Sequence, residues 1–472
     1  MQDLWMPMRA RFSRRDLFDR LGMGLGAIAV RSLFAEEAGG IRTRYDVAER
    51  QPQFKPRAKR VIMLFQNGGP SHIDLFDPKP QLVQRHGQKP GDGYVNPVDV
   101  KKTGVWMGSS FKFSRYGQSG MEISELLPET ARHADKIAVI RSMVTAHSNH
   151  EQAIWNFNTG VVQAGRPALG SWVAYGLGTT NQDLPAYVAI LHPKGLPVDG
   201  IRNFSSGWLP EVFHGVPMRA EGTPVVNLQP QGSSDAARSR FELLQQINRE
   251  HLKAHPGQIE MESRIASFEL AARMQLAASS VLDISREPRA IHELYGTEDP
   301  ETGIHARQCL LARRLVESGV RFVQVLHQGQ PWDTHKDNDK GQRQIAHRTD
   351  RPTAALLTDL EQRGLLSDTL VIWAGEFGRT PMSEGADGRD HHKDAFSIWI
   401  AGGGVKGGLT YGATDDFGYK VVEHPVTIAD YHATLLHQLG LDHKALTFRH
   451  GTRDERLTDV NEAQVVKAIL DA

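Results

Sequence analysis

The chain has 472 residues, of which 40% are hydrophobic and 23% are charged. That composition is typical of a globular protein with a large core, and it excludes a mainly disordered chain. Lysine plus arginine equals aspartate plus glutamate at 55 each, so the net charge does not indicate a nucleic-acid partner. The single cysteine, Cys309, excludes an intramolecular disulfide, and its helical surroundings predict a buried structural thiol.

Residues 1–35 have the pattern of an export signal. The pair Arg14 and Arg15 precedes a weakly hydrophobic segment, Leu21 to Val30, that is too short to span a bilayer core of about 30 Å. This arrangement resembles a twin-arginine signal, which implies the twin-arginine export machinery as a partner and a periplasmic or secreted location. We expect residues 36–59 to form a linker, and no other run is long enough to form a stable membrane span.

Short apolar runs that alternate with helical patterns predict an α/β protein. Six runs are typical of buried strands: Arg60–Phe65, Ile137–Met143, Ala186–Leu191, Arg321–Leu326, Thr369–Ala374 and Ala395–Ala401. The pattern between residues 341 and 363 predicts a helix that joins two strands in a parallel crossover. We therefore expect one α/β domain over residues 60–472, with a largely parallel sheet sandwiched by helices and a helical insertion at about residues 236–300.

Carboxylates and imidazoles are concentrated around the ends of these predicted strands. Because ligands of open α/β sheets bind beyond the carboxyl ends of the strands, we expect these side chains to form a site. The candidate residues, in chain order, are Asp74, His147, His150, Asp333, His335, Glu376, Arg379, His391 and His392. Oxygen and nitrogen ligands of this kind bind divalent cations such as Zn²⁺ or Mn²⁺.

These residues also have ordinary structural explanations. Asp74 could cap a helix, and a carboxylate beside a strand is often part of a solvated charged loop. A lone histidine near a strand end is often a satisfied core residue, but His147 and His150 could share one helix face. The residues alone leave the structural and functional alternatives open.

Five motifs in chain order resemble a known bacterial family. They are GGPSHIDLFDPKP, HSNHEQAIWNFNTG, WDTHKDN, GEFGRTP and GRDHH, and they extend over nearly the whole chain after the signal. In these five motifs the chain resembles domain-of-unknown-function family 1501. Members of that family look like relatives of sulfatases and the alkaline phosphatase superfamily. The resemblance implies an alkaline phosphatase/sulfatase-like fold, with Glu376 as a metal-binding acid and His391 or His392 at the last metal-binding histidine.

The resemblance also places a histidine where sulfatases carry their nucleophile. Sulfatases have a cysteine or serine ten residues before the glycine of a Thr-Gly pair, and counting back from Gly160 leads to His150. The usual nucleophile is therefore absent. His150 would act as nucleophile or general base, because imidazole titrates near neutral pH.

The metal ligands of sulfatases are also changed. The acidic pair that ends their first strand corresponds to the neutral residues Gln66 and Asn67, and Phe377 beside Glu376 cannot bind a metal. Either hydrolysis has been lost or the metal site is rebuilt from other loops. The proposed replacements are Asp74, His147 and His335.

The sequence therefore predicts an exported, metal-dependent hydrolase of sulfate or phosphate esters, acting on a small-molecule or carbohydrate ester. The predicted metal ligands are Asp74, Asp333, His335, Glu376, His391 and His392. The ion could be Zn²⁺, Mn²⁺, Mg²⁺ or Ca²⁺. The predicted catalytic residues are His150, His147 and Arg379. The planar guanidinium of Arg379 would hold an oxyanion by donating hydrogen bonds to it. The alternative is a non-catalytic exported binding or scaffold protein that retains the fold.

Both arginines of the predicted signal should be needed for export. Replacing Arg14 and Arg15 together with lysine should retain the precursor in the cytoplasm, because the segment Leu21–Val30 is too weakly hydrophobic for the general secretory route. Immunoblots of cytoplasmic and periplasmic fractions measure this, and Arg20→Lys, outside the pair, is the matched control. Export of the double variant at the wild-type level would contradict the prediction.

Overall fold

The computed structural model describes residues 45–222, 224–225, 234–255 and 257–471. The predicted signal at residues 1–35, with Arg14 and Arg15, lies outside these residues, so export stays a prediction. Within the described part of the chain, no helix has both the length and the apolar character needed to cross a membrane.

The described residues form a central sheet of nine strands and several two-stranded hairpins. The strands, numbered in chain order, are β1 Arg60–Phe65, β2 Phe113–Tyr116, β3 Met121–Ser124, β4 Ile137–Val144, β5 Tyr187–Leu191, β6 Val216–Arg219, β7 Phe322–Leu326, β8 Thr369–Ala374, β9 Gly378–Glu384, β10 Gly388–His392, β11 Phe396–Ala401, β12 Leu409–Tyr411, β13 Ala413–Thr414, β14 Val421–Glu423, β15 Val426–Thr427, β16 Phe448–His450 and β17 Arg453–Glu455.

Helices connect and cover the strands. The α-helices are α1 His72–Leu75, α2 Pro80–Gln84, α3 Pro128–Ala131, α4 His150–Thr159, α5 Leu169–Leu177, α6 Ser234–Ala254, α7 Ile259–Ala277, α8 Ser279–Leu282, α9 Arg289–Tyr295, α10 Gly303–Glu317, α11 Asn338–Gln362 and α12 Ile428–Gln438. Helices α6 to α9 occupy the region of the predicted helical insertion. The predicted domain boundaries stay predictions.

Strand β1 lies inside the nine-stranded sheet. The strands are ordered β12-β4-β11-β8-β1-β7-β5-β6, and β15 also pairs with β4. β1 is parallel to both neighbours, with Phe65 opposite Ala374 of β8 and Leu326 of β7. Among the described strands of this sheet, β11 alone is reversed, being antiparallel to both β4 and β8. The prediction of a largely parallel sheet is confirmed.

Both faces of the sheet are covered by helices, which explains why its inner strands are apolar throughout. In β1, alternate residues point to opposite faces. Val61, Met63 and Phe65 belong to one buried cluster, and Ile62 and Leu64 belong to the other. Helices α4, α5 and α12 contribute to the first cluster, and α10 and α11 to the second. The predicted sandwich is confirmed, and Cys309 of α10 is buried, as predicted.

The segment between β8 and β11 differs from its prediction. The sequence predicts Thr369–Ala374 and Ala395–Ala401 as buried strands of a largely parallel sheet, but these two strands pair antiparallel, and residues 378–392 between them form an antiparallel hairpin of β9 and β10. Because β11 is reversed, its first residue, Phe396, pairs near the end of β4 at Met143. The histidine pair therefore precedes a strand that starts at the carboxyl edge of the sheet, and does not follow a strand that ends there.

The crossover through α11 also differs in one respect. We expected β7 and β8, which this helix joins, to be direct neighbours. Instead both strands pair with β1, which lies between them. The loops after β7 and β8 therefore converge from the two sides of the end of β1.

Truncating buried residues of the inner strands should destabilise the fold. Trp373 in β8 and Ile398 in β11 are 2% and 0% exposed, so changing either to alanine removes buried surface and leaves a cavity. We expect each change to lower the free energy of unfolding by about 2–5 kcal/mol, as measured by urea titration. Val422→Ala, at a side chain that is 53% exposed, is the control and should have little effect. Equal losses at Trp373 and Val422 would contradict the assignment of the core.

Candidate metal and catalytic site

Three imidazoles and one carboxylate meet beyond the carboxyl edge of the sheet. Asp333 and His335 lie in the loop after β7, His391 lies in β10, and His150 is the first residue of α4. Asp333 Oδ1 lies 3.4 Å from His150 Nε2, 3.0 Å from His335 Nε2 and 3.3 Å from His391 Nε2. His335 Nε2 and His391 Nε2 are 2.9 Å apart. These four side chains, all predicted as site residues, could hold a metal ion.

Each of the three imidazoles also faces an oxygen with its other nitrogen, Nδ1. The partners are Glu376 for His150, at 2.7 Å, the carbonyl oxygen of Ser148 for His391, at 2.7 Å, and Glu384 for His335. Because carboxylate and carbonyl oxygens accept hydrogen bonds, each Nδ1 carries a hydrogen. In the neutral rings the lone pairs are then on the Nε2 atoms, which face Asp333.

Glu376 is fully buried and connects His150 to the end of β1. One of its oxygens accepts the Gly68 N–H at 2.9 Å and also the His150 Nδ1–H. Gly68 has a φ of +110°, and a Cβ atom there would lie 2.7 Å from the backbone nitrogen of Asp333. Only glycine permits this close approach. In this structure Glu376 orients His150 and fixes its tautomer, and it lies outside the four-residue group around Asp333 Oδ1.

Arg379 is fully buried, and protein acceptors occupy its guanidinium. It donates to the carbonyl oxygens of Gly69 at 2.9 Å and Arg389 at 3.1 Å, to that of Gly68, and to Asp333 Oδ1. Four of its five N–H groups are therefore used. This position favours a role in holding Asp333 over the predicted contact with an oxyanion.

Asp74, predicted as a metal ligand, is separated from the four-residue group. It is fully buried and accepts from Arg389 Nε at 2.8 Å, Ser71 Oγ at 2.6 Å and Asn338 Nδ2 at 3.1 Å. Burial raises its pKa, but the Arg389 charge and hydrogen bonds outweigh burial and lower the pKa below its usual value. These contacts favour a structural role for Asp74.

The structure also places two predicted histidines away from the group. His392 stacks on His72, with ring centroids 6.4 Å apart, and its Nε2 contacts the carbonyl oxygen of Tyr419. His147 is exposed, and its Nδ1 accepts the Asn149 N–H at 3.0 Å. Neither belongs to a group of described residues that could hold a metal ion.

Close contacts shift the pKa values within the group. Burial raises the pKa of Asp333, but the three imidazoles, which can donate to it from Nε2 only when they are protonated, and the Arg379 charge outweigh burial and hold that pKa well below its usual value. Burial lowers the pKa of His150, but the contacts of the protonated ring with Asp333 and Glu376 raise it overall. The contact of the protonated ring with Asp333 also raises the pKa of His335, whereas burial lowers that of His391. Asp333 therefore remains ionised.

Sequence reasoning missed two groups that orient the imidazoles. Glu384 lies in β9, and the carbonyl of Ser148 lies in the loop before α4. In the hairpin, Gly388 pairs with Glu384. The three residues between them, Gly385, Ala386 and Asp387, are a sequence signal for a turn that could have predicted the hairpin. No comparable signal exists for a backbone carbonyl.

A family model described as "Protein of unknown function (DUF1501)" matches residues 58–470. The chain belongs to this family. The match confirms the resemblance that the five motifs of this DUF1501 protein indicated. No curated protein sequence matches the DUF1501 chain.

Several solved structures are similar to this DUF1501 protein. A protein in the alkaline phosphatase superfamily from Vibrio parahaemolyticus gives a TM-score of 0.35 at 11% identity, over 89% of this chain and 75% of that chain. A sulfatase from Pseudoalteromonas sp. gives a TM-score of 0.33 at 13% identity, over 82% of this chain and 68% of that chain. A phosphonate monoester hydrolase from Silicibacter pomeroyi gives a TM-score of 0.33 at 12% identity, over 73% of this chain and 72% of that chain. At these values the similarity says nothing about a shared activity.

Glu376→Gln should lower the pKa of His150 in metal-free protein. The carboxylate stabilises the imidazolium, whereas the neutral amide can accept the Nδ1–H without adding negative charge. NMR titration of the histidine ring nitrogens after chelation measures the shift. Glu384→Gln is the matched control, because Glu384 contacts His335, and it should lower the pKa of His335 without changing that of His150. An unchanged His150 pKa in Glu376→Gln would contradict the assigned contact.

Proposed function

We propose that this DUF1501 protein is an exported, metal-dependent hydrolase that acts on sulfate or phosphate esters. Asp333, His335 and His391 hold a divalent cation, and His150 acts on the substrate beside it. The observation that carries the proposal is the convergence of imidazole Nε2 atoms on one carboxylate oxygen.

The three proposed ligand atoms form a closed triangle whose size suits a metal ion. Its sides are 3.0, 3.3 and 2.9 Å. With bonds of about 2.0–2.2 Å, the ligand atoms of a tetrahedral Zn²⁺ site lie about 3.3–3.6 Å apart, so small side-chain movements would complete the site. Three protein ligands with one open position are the pattern of catalytic zinc sites, whereas structural sites use four protein ligands.

The triangle is electrostatically unfavourable without a cation. Glu384 and the carbonyl of Ser148 hold the hydrogens of His335 and His391 on Nδ1, so two Nε2 lone pairs face each other at 2.9 Å. Both lone pairs also face the ionised Asp333. A cation or an added proton has to offset this repulsion. A metal ion does so with both rings in the neutral form that their Nδ1 contacts favour.

His150 has the position of a nucleophile or general base. Its Nε2 is buried, lies 3.4 Å from Asp333 Oδ1 and has no hydrogen-bond partner of good geometry among the described residues. Glu376 accepts its Nδ1–H at 2.7 Å. A buried carboxylate in this position orients the ring and stabilises the imidazolium that forms when Nε2 takes a proton.

The remaining parts of the proposal have separate support. A bound divalent cation would polarise an ester oxygen and offset charge on the leaving group. The ester class comes from the motifs that resemble those of sulfatases. Export through the twin-arginine machinery, to the periplasm or beyond, is supported by the arginine pair and the short apolar segment of the predicted signal.

The purified protein should contain one divalent ion per chain, and the ion should raise its melting temperature in a concentration-dependent way. Asp333→Asn and His335→Gln should each weaken metal binding by at least about tenfold, because each removes a ligand. Elemental analysis after dialysis measures the number of metal ions bound per chain. His147→Gln is the control, because His147 lies outside the group, and it should keep the full content. Wild-type protein without stoichiometric metal would overturn the proposed site.

Turnover is the second stage of the same test. His150→Gln should retain the metal and lose at least about 10²-fold in the hydrolysis of aryl sulfate or phosphate esters, because it lacks the proton-accepting Nε2. If the metal-loaded wild type hydrolyses no such ester, the site stands and the alternative is favoured, namely a non-catalytic exported binding or scaffold protein.

A further inference from the structure

We propose that the carboxamide of Asn67 binds the anionic group of the ligand, a sulfate or phosphate, beside the first turn of α4. The inference rests on the proposed function and deepens it. It assigns to Asn67 a contact with substrate and none with the cation.

Asn67 is a buried amide without a protein partner. It is 0% exposed, and neither its Oδ1 nor its Nδ2 has a hydrogen-bond partner among the described residues. Most buried polar side chains in folded proteins are paired, so such a group needs an explanation. Asn158 in α4 shows the usual state, because its Nδ2 donates to the carbonyl of Ile154 at 3.1 Å and its Oδ1 accepts from Gln324 at 3.0 Å.

The chain places Asn67 beside the proposed catalytic residues. The next residue, Gly68, donates its N–H to Glu376, whose carboxylate binds His150. The carbonyl oxygen of Asn67 accepts the Trp332 N–H at 3.2 Å, one residue before Asp333. Backbone contacts thus fix Asn67 between the loop of the cation ligands and the partner of His150.

The end of β1 and the turn that follows it lie close to α4. Phe65, two residues before Asn67, packs on Phe157 of α4 with ring centroids 5.3 Å apart. Between them, Gln66 continues the strand by bonding to Ala374, and its side chain contacts Trp332 of the other buried cluster. Asn67 lies in the turn that follows this strand. Glu376, which accepts the N–H of the next residue, Gly68, also binds His150, the first residue of α4, so this turn lies beside the start of the helix.

The start of α4 suits an anion. It is the positive end of a ten-residue helix, where the Asn149 side chain caps the N–H of Glu151 and the other first-turn N–H groups have no partner within the helix. One further donor there is buried and unpaired, the hydroxyl of Ser148. Together with the Nδ2 hydrogens of Asn67 it provides donors for the oxygens of a sulfate or phosphate group next to the proposed cation.

Asn67→Leu tests the proposal, because it removes the amide and nearly keeps the shape. Calorimetric titration of metal-loaded protein with inorganic sulfate and inorganic phosphate should show at least about tenfold weaker binding than wild type. Metal content should be unchanged, and the melting temperature of metal-free protein should not fall, since no protein hydrogen bond is broken. Asn158→Leu, the matched control, should lower the melting temperature and keep the wild-type affinity for the anion.

Four results would overturn the proposal. Unchanged anion affinity in Asn67→Leu, or no anion binding by wild type, would exclude the contact. Loss of metal would make Asn67 a cation ligand, and a fall in melting temperature equal to that of Asn158→Leu would make it structural. A wild type without metal would refute the proposed function instead. The same anion titrations, carried out on the metal-free wild type and on Asn67→Leu, would still test the role of Asn67. Anion binding by the wild type that is weakened in Asn67→Leu would support the contact even without a metal ion.

Discussion

The backbone of Gly68 is the point on which the geometry of the site depends. Its N–H donates to Glu376 and its carbonyl oxygen accepts from Arg379, and both side chains are fully buried. Glu376 in turn holds His150, and Arg379 holds Asp333. The turn after β1 therefore sets the positions of His150, at the start of α4, and Asp333, in the loop after β7. A side chain at position 68 would displace the Trp332 and Asp333 backbone and disturb both contacts.

A buried ion pair holds the hairpin that carries His391. Arg389 of β10 and Asp74 of α1 are both fully buried and lie 2.8 Å apart. Breaking such a pair typically costs about 3–5 kcal/mol, because the remaining charge is buried and uncompensated. Asp74 thus supports the site from a distance, since the residue it holds is two positions before His391. The loss of Asp74 would be expected to disturb stability and the site together.

The strands and most of the site residues could be predicted, because short apolar runs indicate inner strands and the ligands of such sheets lie beyond the carboxyl ends of the strands. The direction of β11 could not be predicted. Its pairing, such as Ile398 with Ile140, joins residues far apart in the chain, and an apolar run has the same pattern in either direction. The hairpin is open to a related ambiguity, because its polar residues have the same pattern as a single loop. As a result both histidines of β10 were expected at the metal, although adjacent residues of a strand face opposite sides.

The outcome for the two aspartates shows what sequence position cannot decide. Asp74 and Asp333 both follow strands that pair side by side, and both were predicted to bind metal. Asp74 is surrounded by hydrogen-bond donors, an arginine, a hydroxyl and an amide. Asp333 also receives a bond from Arg379, but the imidazole nitrogens around it have their hydrogens held on the far side of each ring. A carboxylate that meets donors is already satisfied, whereas one that meets lone pairs needs a cation. The two aspartates therefore differ in a way that their sequence positions do not show. The groups that hold the hydrogens of the neighbouring rings on Nδ1 make Asp333, and not Asp74, the carboxylate that we propose as a metal ligand.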